Sequence, residues 1–262
     1  MYILGIVSLG SFLILASFVQ NAYSEEIFTT LRMSDHNTIF DGKWSHTTEW
    51  KDTSENVIQY DDGKKLAIKT GHDYENLYVM INFISDTSIQ KIADYGIVCI
   101  DSKHNKSDSP DSDDFCFRAS LGYSNPRTLN GDHFLGKTNH WKNVQSHQNL
   151  ASIGGVSDQN DRYSKIPHAT YEFKIPLEIV GKSDHYGFYV GAFDAKTNKM
   201  YNWPKNPTTK LYPHVSSPTE WGDLISPDKS IPEFPFASVL LLLSFGLYFF
   251  IGRKMIHKKI IS

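Results

Sequence analysis

The sequence has 262 residues, of which 40% are apolar and 21% charged, and this is enough to bury a sizeable core. Its formal net charge of −3 at pH 7 argues against nucleic acid as a partner, because non-specific binding there needs a basic face. The 14 tyrosines, 16 phenylalanines and 5 tryptophans supply many rings, which in a non-helical domain belong mostly to the core or to cross-strand pairs.

The N-terminus carries an uncharged apolar stretch, residues 2–19, followed by Ala22 and Ser24 in a small-x-small pattern. This arrangement predicts a secretory signal peptide over residues 1–24, with Glu25 as the first mature residue. An uncleaved N-terminal membrane helix is the alternative, since no lysine or arginine precedes the apolar stretch. We therefore expect an exported protein.

We predict one domain over residues 25–230, because short alternating runs separated by turn signals continue through it. The region 123–165 is polar and predicts long loops, with short strands near 132–135 and 150–156. A single helical turn is expected at 177–180. The main strands are expected at 61–70, 76–84, 94–101, 114–121, 168–176, 185–194 and 201–204. This pattern predicts an all-β fold, an antiparallel β-sandwich of the jelly-roll or immunoglobulin-like kind.

Cys99 and Cys116 are the only cysteines, and each lies on one arm of a predicted hairpin spanning residues 95–118. In an exported domain such a pair predicts a disulfide. Two buried free thiols are the alternative.

The tip of this hairpin is crowded with carboxylates, and flexible acidic loops supply the oxygen ligands that Ca²⁺ prefers. The loop is therefore a candidate Ca²⁺ site, although it does not match the EF-hand pattern. A charged tip that only maintains solubility is one alternative, and another is that Asp101 or Asp114 holds the loop ends through backbone hydrogen bonds. Asn105, in Asn105-Lys106-Ser107, is an N-glycosylation acceptor. The candidate ligands are Asp101, Asp108, Asp111, Asp113 and Asp114.

A second uncharged apolar stretch, residues 234–251, is followed by a basic cluster. About 18 to 20 apolar residues suffice to cross a bilayer, and basic residues stay on the cytoplasmic side. The sequence therefore predicts one C-terminal transmembrane helix, a membrane anchor that leaves the domain on the extracellular surface of the cell. The basic residues are Arg253, Lys254, Lys258 and Lys259.

Residues 231–262 also resemble the PEF-type C-terminal sorting signals of archaeal surface proteins, through Pro-Glu-Phe at 232–234 ahead of the apolar stretch. The resemblance implies that a membrane transpeptidase, an archaeosortase, removes the tail. Pro235 stands where the common form of the signal has glycine.

Five motifs follow one another along the domain: HDYENLYVMINFISD at 72–86, IVCIDSKHNKSDSPDSDDFCF at 97–117, YEFKIPLEI at 171–179, GFYVGAFD at 187–194 and WGDL at 221–224. In this order they resemble the motifs of family 9 carbohydrate-binding modules and of the wider DOMON-like superfamily. The resemblance implies an antiparallel sandwich that binds a polysaccharide or other glycan without catalysis. It also implies an alternative, because related members bind haem b.

A sugar site needs an aromatic wall with polar side chains beside it. Trp141 lies in the polar middle region and is the first candidate, followed by Trp203 with its neighbours Tyr201 and Asn202. The other tryptophans, Trp44, Trp50 and Trp221, are predicted to be core or edge residues.

Haem b and catalysis are the competing interpretations. His72, Met80 and Met200 could ligate haem, but no pair of them stands out. Glu172 and Asp194 are the acids best placed for glycoside hydrolysis, yet no catalytic motif accompanies them. We predict a surface-displayed, non-catalytic carbohydrate-binding domain; a haem b electron-transfer domain and a structural cell-envelope protein are the alternatives.

Overall fold

The computed structural model describes residues 26–33, 38–46, 48–132, 141–205 and 212–227. The predicted signal peptide and the predicted transmembrane helix both lie outside these residues. Within them, no helix has the length and apolarity needed to cross a membrane.

The strands are β1 (Ile27–Thr29), β2 (Leu31–Arg32), β3 (Ser54–Gln59), β4 (Lys65–His72), β5 (Asn76–Phe83), β6 (Tyr95–Asp101), β7 (Asp114–Ser120), β8 (Arg127–Gly131), β9 (Trp141–Val144), β10 (Ala151–Val156), β11 (Ala169–Pro176), β12 (His185–Asp194), β13 (Lys199–Trp203) and β14 (Gly222–Ile225).

Two sheets make up a β-sandwich, as the alternating sequence pattern predicts. Sheet A has the strand order β1-β14-β12-β6-β7-β8-β9, with β13 also paired to β12. Sheet B has the order β10-β11-β5-β4-β2, with β3 also paired to β4. The predicted helical turn is present as α1 (Leu177–Val180), and Pro218–Glu220 forms a 3-10 turn.

The prediction of a wholly antiparallel fold is wrong at the start of the domain. Strand β1 runs parallel to β14, and β2 runs parallel to β4. These strands have three and two residues, and runs this short carry no readable alternation. The first segment of the domain therefore contributes to both sheets.

The inner faces of the sheets meet in one apolar core, and strand alternation decides which side chains enter it. Leu77, Val79, Ile81 and Phe83 of β5 point into the core together, as predicted. The predicted inward face of β11, which includes Tyr171 and Phe173, lies beside them on the same sheet and enters the same core.

The outer faces of both sheets are also apolar and are covered by loop segments. On sheet B, Trp44 and Trp50 pack against Tyr78 and Met80, the outward residues of β5. On sheet A, a second cluster includes Cys99, Cys116 and Trp221. Trp44, Trp50 and Trp221 are all buried, which confirms the prediction that they belong to packing.

The Cys99–Cys116 disulfide is present, as predicted. The two residues lie directly opposite each other in the β6–β7 register, with their Cα atoms 4.0 Å apart. No free cysteine remains. The bridge therefore closes the base of the hairpin that carries the acidic loop.

The polar middle region contains more strand than the sequence indicates. Strand β10 matches the expected strand at 150–156. The strand expected near 132–135 falls mainly on residues 133–140, which lie outside the described residues. Strands β8 and β9 flank that gap, pair with each other and form the outer edge of sheet A.

Candidate functional site

Three of the predicted sugar-binding residues lie in the interior rather than on the surface. Trp203 and Tyr201 point inward from β13 into the main core, and only 4% of the surface of Trp203 is exposed. Its ring packs edge-on against Phe28, with the centroids 5.3 Å apart. Asn202 is also buried, and its side-chain amide donates to the carbonyl of Pro204 over 2.7 Å. The expectation of an exposed site at these residues is therefore corrected, because none of them presents a free ring or amide.

Trp141 begins edge strand β9 and is only partly buried. Its ring lies nearly parallel to that of Trp221, with an angle of 8° between the planes and 6.3 Å between the centroids. Asn143 follows two residues later, so its side chain leaves the same face of the strand. The structure thus places Trp141 with one side against the outer cluster of sheet A and a polar neighbour beside it.

The acidic loop, residues 101–114, uses several of its carboxylates to hold its own backbone. Asp101 accepts from the amides of Asn105 and Lys106 over 3.2 and 2.8 Å. Asp114 accepts from the amide of Asp111 over 2.8 Å. Both residues are fully buried at the strand ends. Their role in holding the loop ends through backbone hydrogen bonds, one of the predicted alternatives, is therefore confirmed.

The remaining acidic-loop carboxylates are dispersed. Asp113 pairs with Lys103 over 3.2 Å, while Asp108 is exposed. Although all five carboxylates are described, no three of them bring their oxygens within 4.8 Å of one another. Burial, reinforced by the charges of Asp101 and its neighbours, raises the pKa of Asp114 to about 7. The Ca²⁺ site at this loop stays a prediction.

Asn105 lies on the exposed side of the same loop. Its side-chain amide donates to Asp111 over 3.1 Å. Glycosylation of this asparagine also stays a prediction.

The residues considered for haem ligation are separated. Met80 packs on the outer face of sheet B, while Met200 packs on the outer face of sheet A. The two ring nitrogens of His72 lie 3.2 Å from the hydroxyl oxygens of Thr30 and Ser226. No two of the three candidates therefore face a shared apolar pocket.

Glu172, one of the two acids considered for catalysis, is fully buried on the outer side of sheet B. Its carboxylate accepts from the amides of Asp41 and Gly42 over 3.1 and 2.8 Å, and from the Trp50 indole over 2.9 Å. Glu172 therefore holds the covering segment around residues 38–50 to the sheet, rather than facing a cleft.

An aromatic surface that the sequence did not reveal lies on the outer face of sheet A, at the end opposite the acidic loop. We call it the Arg118 patch, and it consists of Ile92, Tyr95, Arg118 and Tyr212. The Arg118 guanidinium carbon lies 4.0 Å from the Tyr95 ring centroid and 5.3 Å from that of Tyr212. Tyr212 is 44% exposed and Ile92 is 64% exposed. The patch therefore combines an exposed ring with a positioned hydrogen-bond donor.

The base of the Arg118 patch is rigidly packed. The Tyr95 ring stacks on Phe193 with centroids 5.1 Å apart, and Phe193 stacks on His214 at 4.6 Å. The Tyr95 hydroxyl donates to the carbonyl of Pro213 over 2.9 Å. Burial raises the pKa of Tyr95 well above its usual value, so this hydroxyl stays protonated. These contacts fix the loop that carries Tyr212 against the sheet.

Comparisons with known proteins concern the overall fold. No protein-family model matches the sequence, and no curated protein matches it. The structure is similar to a family 9 carbohydrate-binding module from Caldicellulosiruptor kristjanssonii in complex with glucose, with a TM-score of 0.49 and 13% identity. It is also similar to that module in complex with cellotriose, with a TM-score of 0.46 and 13% identity. Each match covers 80% of this chain and 100% of the other chain.

Proposed function

We propose that this domain binds carbohydrate without catalysis, and that the Arg118 patch is its binding surface. The observation that carries the proposal is the exposed Tyr212 ring beside a guanidinium that two tyrosines hold in place. Sugar rings present apolar C–H faces that stack on flat aromatic surfaces, while fixed donors bond the hydroxyls. The resemblance of the sequence to sugar-binding modules favours the same ligand class.

Arg118 meets the requirement for a donor whose position is set before the ligand arrives. It lies on β7 near the centre of sheet A, stacks on Tyr95 and donates to the carbonyl of Ile92 over 3.4 Å. Arg127 lies directly opposite it in the β7–β8 register, which adds a second, exposed guanidinium to the same face. Such groups bind hydroxyl or carboxylate oxygens in a planar geometry.

A second tyrosine–arginine pair provides a matched comparison. Tyr74 is 65% exposed, and Arg32 lies over its ring at 4.3 Å. Arg32, however, belongs to a two-residue edge strand and is itself exposed, so its guanidinium is less constrained. Tyr74 therefore serves as a control with the same side chain on a different surface.

The first prediction concerns Tyr212. A glycan array containing neutral and uronic-acid oligosaccharides should identify a ligand for the full-length chain. Tyr212→Ala should then weaken the binding of that ligand by about tenfold, as measured by calorimetry, because losing one stacked ring costs on the order of 1 to 1.5 kcal/mol.

Two variants complete this experiment. Tyr74→Ala should bind like the wild type, whereas Trp141→Ala tests the surface suggested by the sequence. A loss of glycan binding confined to Trp141→Ala would place the site at β9 instead. If no glycan on the array binds the wild type, carbohydrate binding is rejected altogether.

We also propose that the domain is displayed at the cell surface by a C-terminal membrane anchor. The support is the sequence pattern at both ends, together with a disulfide of the kind that persists in oxidising compartments. Intact-mass analysis of the native protein should show a mature chain that starts at Glu25. A mass that retains residues 1–24 would contradict cleavage, and recovery in the aqueous phase with the tail present would contradict anchoring.

A further inference from the structure

Three fully or almost fully buried carboxylates meet at the end of the sandwich beneath the Arg118 patch. The carboxylate cluster consists of Asp86, Asp94 and Asp194, which are 0%, 0% and 1% exposed. One oxygen from each lies within 4.8 Å of the others. Placing three negative charges so close together away from water is costly unless a positive charge compensates them.

The strand order explains why the three residues meet. Tyr95 and Phe193 are partners in the β6–β12 register, so Asp94 and Asp194 lie side by side, one residue beyond them. Asp86 comes from the other sheet, in the turn that follows β5, and its carbonyl accepts from the amide of Ala169. The cluster therefore joins sheets A and B at one end.

Backbone amides donate to the cluster, but no cationic side chain among the described residues pairs with it. Asp94 accepts from the amides of Gln90 and Ala195 over 2.6 and 2.9 Å. Asp194 accepts from the amide of Lys196 over 2.9 Å. Among the ion pairs in the described part of the chain, none involves any of the three carboxylates.

Among the residues that the structure describes, two buried oxygens at this place have no hydrogen-bond partner. One is Oδ2 of Asp86, whose other oxygen accepts from the amide and hydroxyl of Ser88. The other is the hydroxyl of Tyr171, a fully buried side chain that is not one of the three carboxylates.

The Tyr171 ring extends toward the cluster by passing over Gly96 of β6, which has no side chain. A Cβ at Gly96 would lie 2.6 Å from Cγ of the Tyr171 ring, so only glycine lets the ring pass over β6. Burial, followed by the charges of Asp94 and Asp86, raises the pKa of Tyr171 well above its usual value. The unpartnered hydroxyl therefore lies in the field of the carboxylates.

We propose that Asp86, Asp94 and Asp194 bind a divalent cation, Ca²⁺ by preference, with the Tyr171 hydroxyl beside it. The donors are all oxygen atoms, which suits Ca²⁺ and Mg²⁺ and disfavours metals that prefer nitrogen or sulfur. Ca²⁺ accepts about six to eight oxygens in flexible geometry, so water and carbonyl groups can complete its shell. The bound ion would tie the two sheets together and brace the strand ends that carry Tyr95 and Phe193.

The experiment uses the full-length chain, stripped with EDTA and returned to chelator-free buffer. Addition of CaCl₂ to a hundredfold excess over the dissociation constant should raise Tm by about 5 to 10 °C. MgCl₂ should act more weakly, and NaCl at equal ionic strength should not reproduce the shift. Tb³⁺, a luminescent stand-in for Ca²⁺, should emit when tyrosine is excited.

The decisive variant is Asp86→Asn, which keeps an oxygen for Ser88 and places an amide at the unpartnered position. It should remove one calorimetric Ca²⁺ binding event and the associated Tm shift, yet be at least as stable as wild type in EDTA because it relieves repulsion. Asp194→Asn provides the same test should Asp86→Asn fail to fold. Asp108→Asn, in the acidic loop, is the matched control and should retain the event.

Two results would overturn the proposal. One is a wild-type protein that shows neither a Tm shift nor calorimetric heat with Ca²⁺ or Mg²⁺, which would mean that protons neutralise the cluster. The other is full Ca²⁺ binding in Asp86→Asn together with its loss in Asp108→Asn, which would place the ion in the acidic loop instead.

Discussion

Glu172→Gln should lower the free energy of unfolding by about 2 to 3 kcal/mol, the cost of leaving one buried donor without an acceptor. The Glu172 carboxyl group accepts from the Trp50 indole on one oxygen and from the amides of Asp41 and Gly42 on the other. Both oxygens can accept whether or not the group is protonated. Glutamine has the same shape but carries, in place of one oxygen, an NH₂ group that cannot accept. Urea denaturation of the wild type and the variant measures the difference.

A double-mutant cycle with Trp50→Phe identifies the cause of this loss. Without the indole N–H, the glutamine can turn its NH₂ group away from the two amides, so Glu172→Gln should cost less in the Trp50→Phe background. Equal costs in both backgrounds would contradict the hydrogen-bond explanation, because the two changes would then be independent.

The same residue predicts a pH dependence. Burial outweighs the hydrogen bonds from Gly42 and Trp50 and raises the pKa of Glu172 from 4.5 to about 8. Between these values the folded protein holds a proton that the unfolded chain releases, so stability falls as pH rises. The contribution is fully present below about pH 4.5 and is lost as pH rises through about 8. In Glu172→Gln, which lacks this titrating group, the urea midpoint should vary less with pH over this range.

Removing the Cys99–Cys116 disulfide should cost about 3 kcal/mol of stability, since the bridge restricts a loop of roughly 17 residues in the unfolded chain. Both cysteines are fully buried on the outer face of sheet A. Reduction of the wild type and the double substitution Cys99→Val with Cys116→Ala should give similar losses, because the valine and alanine retain apolar contacts. Urea unfolding with and without reductant measures both.

The double variant also acts as its own control. Its urea midpoint should not change when reductant is added, whereas the urea midpoint of the wild type should fall. An identical midpoint for oxidised and reduced wild type would show that the bridge contributes nothing to stability.

Alternation along the chain was sufficient to predict the central strands. Successive side chains of β5 and β11 point alternately into the inner core and to the outer face of sheet B, and the sequence shows this alternation. The parallel strands β1 and β2 were not predicted, because two or three residues carry no periodicity. Their pairing depends on β14 and β4, partners that local sequence does not reveal.

The candidate sites are formed by residues that are distant in sequence. Local sequence patterns therefore predict the position of some of these sites incorrectly. The sequence offers Trp203, which follows Tyr201 and Asn202, as a sugar-binding candidate, but Phe28 from the other end of the domain packs against its ring. The Arg118 patch joins residues from three separate segments, so no local motif marks it. The buried carboxylates are likewise distributed over two turns and a strand end, and of the three only Asp194 is among the acids that the sequence analysis considers for catalysis.

The pairing of the first strand with the last one also affects how the domain folds. Ile27 lies opposite Asp223, so the pair that completes sheet A joins residues separated by nearly the whole domain. Contacts of such long range close large loops and slow folding relative to local hairpins. As the chain emerges from the ribosome, β1 has no partner until β14 has been made. We therefore expect the cysteine hairpin and the β4–β5 pair to form early, and the edge that holds both ends of the domain to form last.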